Sequence, residues 1–405
     1  MTTPAIPAGV MTESDALRST PFWRREPYAV FFPLGILLSW AGVGRWLAFA
    51  IGGRSEDYLA VYIFHGMTQI QGFLLCFAIG FLFTMIPRRT GTPPPSVLEM
   101  TIGLAAPLAT VVAAWGQHWA LSQVGWMTAC VLLVVFVVRR VLSSTARRRP
   151  PTSFVWIPVA LLTGLLGSAM TGARGTLGPD WMWLHNLGQQ LVLQGVFVAL
   201  VLGVGGMALP LMTRGEAPSD AAFTRRDVLA VLAHLVAAGL LVASFVVQSR
   251  WSLPAGCALR AAVIAAELAL GPQLWRPPSI SGWNRRLIWL AAWMLPTGFA
   301  FAALLPAYYQ AGLHISFVGG LATLTLAVST HVVLGHGDRS DLIDGQPWQV
   351  GTIAMLMGAA TLSRIAMTME PMHRNAWMAT ASFFFLSATV IWALFLVPVI
   401  VRRRN

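Results

Sequence analysis

The 405-residue chain contains no lysine, only three cysteines and few charged side chains of any kind. Charged residues make up 10% of it, against about 25% in a soluble globular domain. A water-facing surface cannot be covered at that density, which excludes an ordinary soluble protein. Cys76, Cys130 and Cys257 stand in separate apolar segments without CxxC spacing, so they read as small packing residues. That excludes a disulfide framework and a cysteine zinc site. The cationic residues are all arginines, 27 of them against 15 acids, for a net charge of +12. Most lie in short stretches between apolar runs, as in loops facing anionic lipid, so no nucleic-acid partner is expected. Residues 1–27 carry no apolar core, which predicts a cytosolic N-terminal tail rather than a cleavable signal peptide.

What is abundant is apolar sequence. Hydrophobic residues reach 56%, with 17 Trp and 37 Gly, and mean hydropathy is +0.68. Trp favours membrane interfaces and Gly lets helices approach. A span needs about 20 apolar residues to cross a hydrocarbon core of about 30 Å. Such runs predict helices near 28–52, 58–86, 97–115, 120–142, 152–171, 184–212, 226–247, 252–271, 284–304, 308–333, 347–368 and 376–401. The expected fold is an all-α polytopic membrane protein of about twelve transmembrane helices over 28–401. Short tails, 1–27 and 402–405, flank it. The two tails and the even-numbered loops hold 20 arginines, whereas the odd loops hold Arg54, Arg174, Arg250 and Arg374. That bias predicts an even number of spans with both termini in the cytoplasm.

A threefold pattern runs through the chain. His65, His185 and His314 each stand near the outer start of a Gly-containing span, the second, sixth and tenth, at separations of 120 and 129 residues. Thr84-Met85-Ile86-Pro87-Arg88 and Leu209-Pro210-Leu211-Met212-Thr213-Arg214 are similar span ends. Three four-helix units are expected. His65 leads a small polar stripe of Gln69, Gly72, Cys76 and Gly80. His185 is followed by Gly188 and Gln189, and His314 by Ser316 and Gly320. Imidazole suits haem iron and copper, and the absence of CxxCH excludes covalent c-type haem. A single membrane histidine is more often a packing residue, and three at matching depth point to ligation more strongly than one does.

His331 and His336 form a second group near the cytosolic end of the tenth span. His331 lies 17 residues from His314, roughly 25 Å along a helix, so the two cannot share one ion. Arg45 and Arg364 lie at the depth of the outer histidines and could pair with carboxylates, or snorkel to the interface. Arg260 and Glu267, seven residues apart on one helix face, are expected to pair with each other or a neighbour. His118, His234 and His373 are weaker candidates.

The stretch Leu313-His314-Ile315-Ser316-Phe317-Val318-Gly319-Gly320, continuing to Leu334-Gly335-His336-Gly337-Asp338-Arg339, resembles the most distinctive segment of the NnrS family. Gly80-Phe81-Leu82-Phe83-Thr84-Met85-Ile86-Pro87 resembles its second-span motif, and Gly206-Met207-Ala208-Leu209-Pro210-Leu211-Met212-Thr213 another of its segments. The resemblance implies a bacterial inner-membrane protein carrying non-covalent haem and copper, linked to denitrification and to tolerance of nitric oxide or iron-nitrosyl species. It implies a protective role rather than a defined reaction, and names no redox partner. Two departures mark a divergent member. The family's His-x-His-Glu-Met motif is His65-Gly66-Met67-Thr68-Gln69 here, and position 331 is His where the family has Arg. The layout also resembles the catalytic subunit of haem–copper oxidases, with twelve spans in three four-helix arcs. The adjacent His pair of its seventh span and the His-x-His of its tenth are absent, so a binuclear reducing centre is not expected. On this reading His65 and His314 ligate haem iron, with His185 a third ligand or a donor that orients one. A metal-free secondary transporter is the alternative, with the polar stripes lining a substrate path.

Overall fold

The computed structural model describes residues 20–52, 57–143, 150–172, 178–217 and 224–402. The tails over 1–19 and 403–405 lie outside the described residues, as do Arg18, Arg54, Arg147, Arg148, Arg149, Arg174, Arg403 and Arg404. Among the described residues there is no strand, and twelve helices are long and apolar enough to cross a membrane. In chain order the first six are α1 (Tyr28–Gly52), α2 (Tyr58–Thr90), α3 (Val97–Trp115), α4 (Trp119–Val141), α5 (Thr152–Thr171) and α6 (Met182–Arg214). The second six are α7 (Arg225–Arg250), α8 (Leu253–Leu270), α9 (Trp283–Leu304), α10 (Pro306–His336), α11 (Trp348–Met369) and α12 (Pro371–Arg402). The protein is an all-α, multi-pass membrane protein.

The twelve helices are of two kinds. In α2, α6 and α10 the apolar window is 83%, 78% and 67% buried, whereas in the other nine it lies between 22% and 50%. The three buried helices are also long, at 33, 33 and 31 residues. They stand at the centre and the nine lipid-facing helices surround them. Within the surround α3 packs on α4, α7 on α8 and α11 on α12. Contacts of α4 with α5, α8 with α9 and α12 with α1 join the units and close the ring.

Local chemistry repeats with the same period. Both α2 and α6 end on a glycine in the left-handed region, Gly91 (φ 69°) and Gly215 (φ 72°), which stops each helix without a Cβ penalty. The next helix in each case opens with a reciprocal capping box, Ser96 with Glu99 before α3 and Thr224 with Asp227 before α7. The third unit departs here, with a short helix at Ser340–Asp344 and Pro347 ahead of α11. Gly167 and Gly188 seat α5 on α6, and Gly298 and Gly312 seat α9 on α10. A Cβ on Gly188 or on Gly312 would come within 2.6 Å of the facing carbonyl oxygen.

Two details differ from the sequence reading. The second span continues through Pro87 to Thr90, because a proline in the final turn forfeits only one backbone hydrogen bond before the Gly91 stop. More informative, each central helix contains a π-helical segment, at Thr68–Leu74, Leu191–Gly195 and Ile315–Ala322. Each follows the histidine of its helix within six residues. The extra residue of a π turn rotates the following register, and such turns gather at functional sites.

Candidate functional site

The three central helices and their neighbours line a cavity of about 540 Å³ at the end where α2 and α10 begin. That size lies within the roughly 300–1,000 Å³ typical of small-molecule and cofactor sites. His65, His185 and His314 all line it, one from each central helix, together with Arg364 from α11.

The histidines share one mode of support. Nδ1 of His65 lies 3.4 Å from the Gly42 carbonyl, that of His185 lies 3.1 Å from the Thr171 carbonyl, and that of His314 lies 2.7 Å from the Gln310 carbonyl. A carbonyl only accepts, so the ring proton is assigned to Nδ1 in each case. Nε2 is left with its lone pair, the state in which imidazole ligates a metal. His314 Nε2 stands 2.8 Å from Arg364 Nη2, which donates to it.

The wall also holds polar donors that the protein does not satisfy. Trp46 Nε1 and Arg364 Nε are buried and make no hydrogen bond. Arg364 has no carboxylate partner among the described residues; its other side-chain bond goes to the Met367 thioether at 3.2 Å. Leaving such groups unmet costs about 1–3 kcal/mol each, more for charged ones. The chemistry of the wall therefore suits an occupant that offers acceptors or negative charge.

Amides from α2, α4 and α6 complete the site, and periodicity had not singled them out. Gln71 and Gln123 exchange hydrogen bonds at 3.2 Å, and Ser168 donates to Gln123 at 2.7 Å. Gln194 accepts from Arg260 at 2.8 Å and donates to the Tyr309 hydroxyl at 3.0 Å. The signal that could have found them is an isolated amide inside an apolar run, which needs a partner within the bundle.

The remaining candidates fall elsewhere. Arg45 lies outside the cavity wall, its guanidinium 4.9 Å above both the Phe64 and Trp115 rings. Arg260 and Glu267 do not pair. Seven residues of helix separate them by about 10 Å. Glu267 instead meets His234 Nδ1 at 2.7 Å and accepts from Trp156 at 3.1 Å. Arg260 is fully buried, bonded to Ser244 at 3.2 Å and stacked 3.7 Å over Phe245. At the far end of α10, His336 bonds to Arg88 and stacks on Tyr28 at 5.2 Å. His331 is half-buried there, and neither residue reaches the cavity. His118 and His373 are exposed.

Among the described residues no three His, Cys, Asp or Glu side chains converge on one metal-sized point. A bare ion needs such a group, whereas haem brings four nitrogens and takes one or two axial ligands. The donor set therefore fits haem better than an isolated ion. Copper has one further candidate ligand in Met67, whose thioether lines the same cavity and suits Cu(I).

The family model described as NnrS protein matches residues 21–404, nearly the whole chain. The chain belongs to the NnrS family. No curated protein matches it. At the level of the NnrS family the chain is a nitric-oxide-related membrane protein, and the family match spans all three central helices and the cavity they line.

Proposed function

We propose that this NnrS protein binds haem non-covalently in the cavity at the histidine end and serves tolerance of nitric oxide in a bacterial inner membrane. In that placement both tails face the cytoplasm and the histidine end faces outward, as the arginine bias of the loops supports. The observation that carries the reading is that one histidine from each central helix lines the same cofactor-sized cavity while backbone carbonyls hold Nδ1 of each. In this reading His65 and His314 would hold the haem iron, and His185 would be a third ligand or a hydrogen-bonding neighbour that orients one. Arg364 pairs with the carboxylates that haem carries. A bound haem supplies an iron able to take up a diatomic ligand and to exchange one electron.

The chain's own residues do the rest. The carbonyls of Gly42, Thr171 and Gln310 fix the ring tautomers and orientations. The rings of Trp46, Phe73 and Phe385 lie among the residues that line the cavity. Arg364 donates to His314 Nε2 and would turn from it to meet an occupant's carboxylate. The transporter reading gains less support, because broken helices at the midplane are its hallmark and α2, α6 and α10 stay hydrogen-bonded throughout.

The test is an optical spectrum with pyridine haemochrome and metal analysis on protein expressed with ample haem. A Soret band with near-stoichiometric iron is expected. A colourless protein with full helicity overturns the haem reading and promotes the transporter.

A further inference from the structure

A second cavity, about 120 Å³, lies beyond the first on the axis of the three central helices. Leu74 lines both. The inner cavity differs in chemistry from the outer one. Its wall is built of Phe, Leu, Val and Ala, and the only side-chain hydroxyls in it are those of Thr325 and Ser329. Ser329 is already engaged, donating to the Leu326 carbonyl at 3.0 Å and accepting from Trp392 at 3.1 Å. Water needs two to four polar partners to stay in a cavity, and this wall does not offer them. An ion or polar substrate would forfeit its hydration without replacement.

Partial exposure traces the same axis. The central helices are the most buried of the fold, yet Ala78 and Phe81 on α2, Val201 and Val204 on α6, and Thr325 and Val328 on α10 are half-buried. All six line the inner cavity. On α2 and α10 the stripe continues at helical spacing to half-buried Met85 and His331, toward the arginine-rich end.

We propose that the inner cavity is a binding site for a small neutral gas of diatomic size, reached from the outer cavity past Leu74. The wall fits nitric oxide or dioxygen and excludes charged nitrogen oxides. Apolar cavities of comparable size stay dry and take up xenon, which is the probe to use. The proposal does not rest on haem, since xenon binding needs no cofactor.

The experiment is xenon binding to the purified full-length protein, by ¹²⁹Xe NMR in detergent and by diffraction from xenon-pressurised crystals. Xenon is expected among Phe77, Val201 and Val328 in the wild type. Val201→Phe fills that space and is expected to abolish the inner site while leaving helicity and melting unchanged. Should Val201→Phe fail to fold, Val328→Leu fills less of the cavity and is expected to weaken the same signal. Ordered water in the inner cavity, no xenon there in the wild type, or xenon unchanged in a folded cavity-filling variant overturns the proposal.

Discussion

The two ends of the bundle treat charge differently. At the arginine-rich end the guanidiniums meet carboxylates: Arg88 with Glu26 at 2.7 Å, Arg140 with Glu99 at 3.0 Å, Arg214 with Glu216 at 2.9 Å and Arg285 with Asp344 at 2.6 Å. At the histidine end, Arg364 and Arg260 contact amides, hydroxyls, rings and a histidine, and no carboxylate among the described residues. A buried cation without a counter-ion is costly, and a fold tolerates it where a ligand supplies the missing charge. The contrast separates guanidiniums paired with carboxylates from guanidiniums held by neutral groups, and under the proposed function Arg364 is the one that would meet a ligand's carboxylate.

Substitution at the two ends sharpens that contrast. The largest loss of stability is expected for Arg285→Ala, which strands the buried Met212 carbonyl and removes the ion pair to half-exposed Asp344. Chemical unfolding in detergent should register a loss of about 2–3 kcal/mol, with cofactor content per folded protein unchanged. Next comes Gln123→Ala in the cavity wall. It leaves Gln71 and Ser168 without their partner and is expected to cost about 1–2 kcal/mol by the same measurement. Arg364→Leu should leave stability unchanged or raise it, since it removes a costly buried charge that no carboxylate among the described residues meets. Its effect belongs to the ligand: retention of haem against apomyoglobin should fall roughly tenfold or more, as expected for loss of one charge-assisted hydrogen bond. Equal destabilisation by Arg285→Ala and Arg364→Leu would remove the contrast.

The smallest effect is at the surface. The Arg214 hydrogen bond holds the Glu216 carboxyl below its ordinary value of 4.5. A group whose value falls on folding stabilises the protein above its unfolded value, and the contribution is lost as pH falls through the folded one. Wild type should therefore melt slightly higher than Glu216→Gln at neutral pH. The gap should close on acidification below about 4.5, the ordinary value of the group. A gap that grows on acidification would contradict the pairing.

Much of this was legible in the sequence, for identifiable reasons. Apolar runs report membrane spans directly, because chain length and bilayer thickness leave little freedom. Regular spacing of His65, His185 and His314 reported the repeat, since each central helix begins at the same depth. What spacing could not report is which neighbour a side chain meets. Arg45 shares the depth of the outer histidines, but helix rotation turns it onto Phe64 and Trp115. Gln123 and Gln194 reach the cavity wall only through the packing of α4 and α6. The π segments were also invisible, because hydrophobic periodicity over a few residues does not distinguish i+4 from i+5 bonding.

The central claim is that haem sits between His65 and His314 at the histidine end. The most direct measurement is the absorption spectrum of purified wild type, His65→Ala, His314→Ala and His336→Ala, each normalised to folded protein. The account predicts a Soret band in wild type and in His336→Ala, and its loss in both His65→Ala and His314→Ala. A Soret band retained in both of those variants, or lost only in His336→Ala, would contradict it.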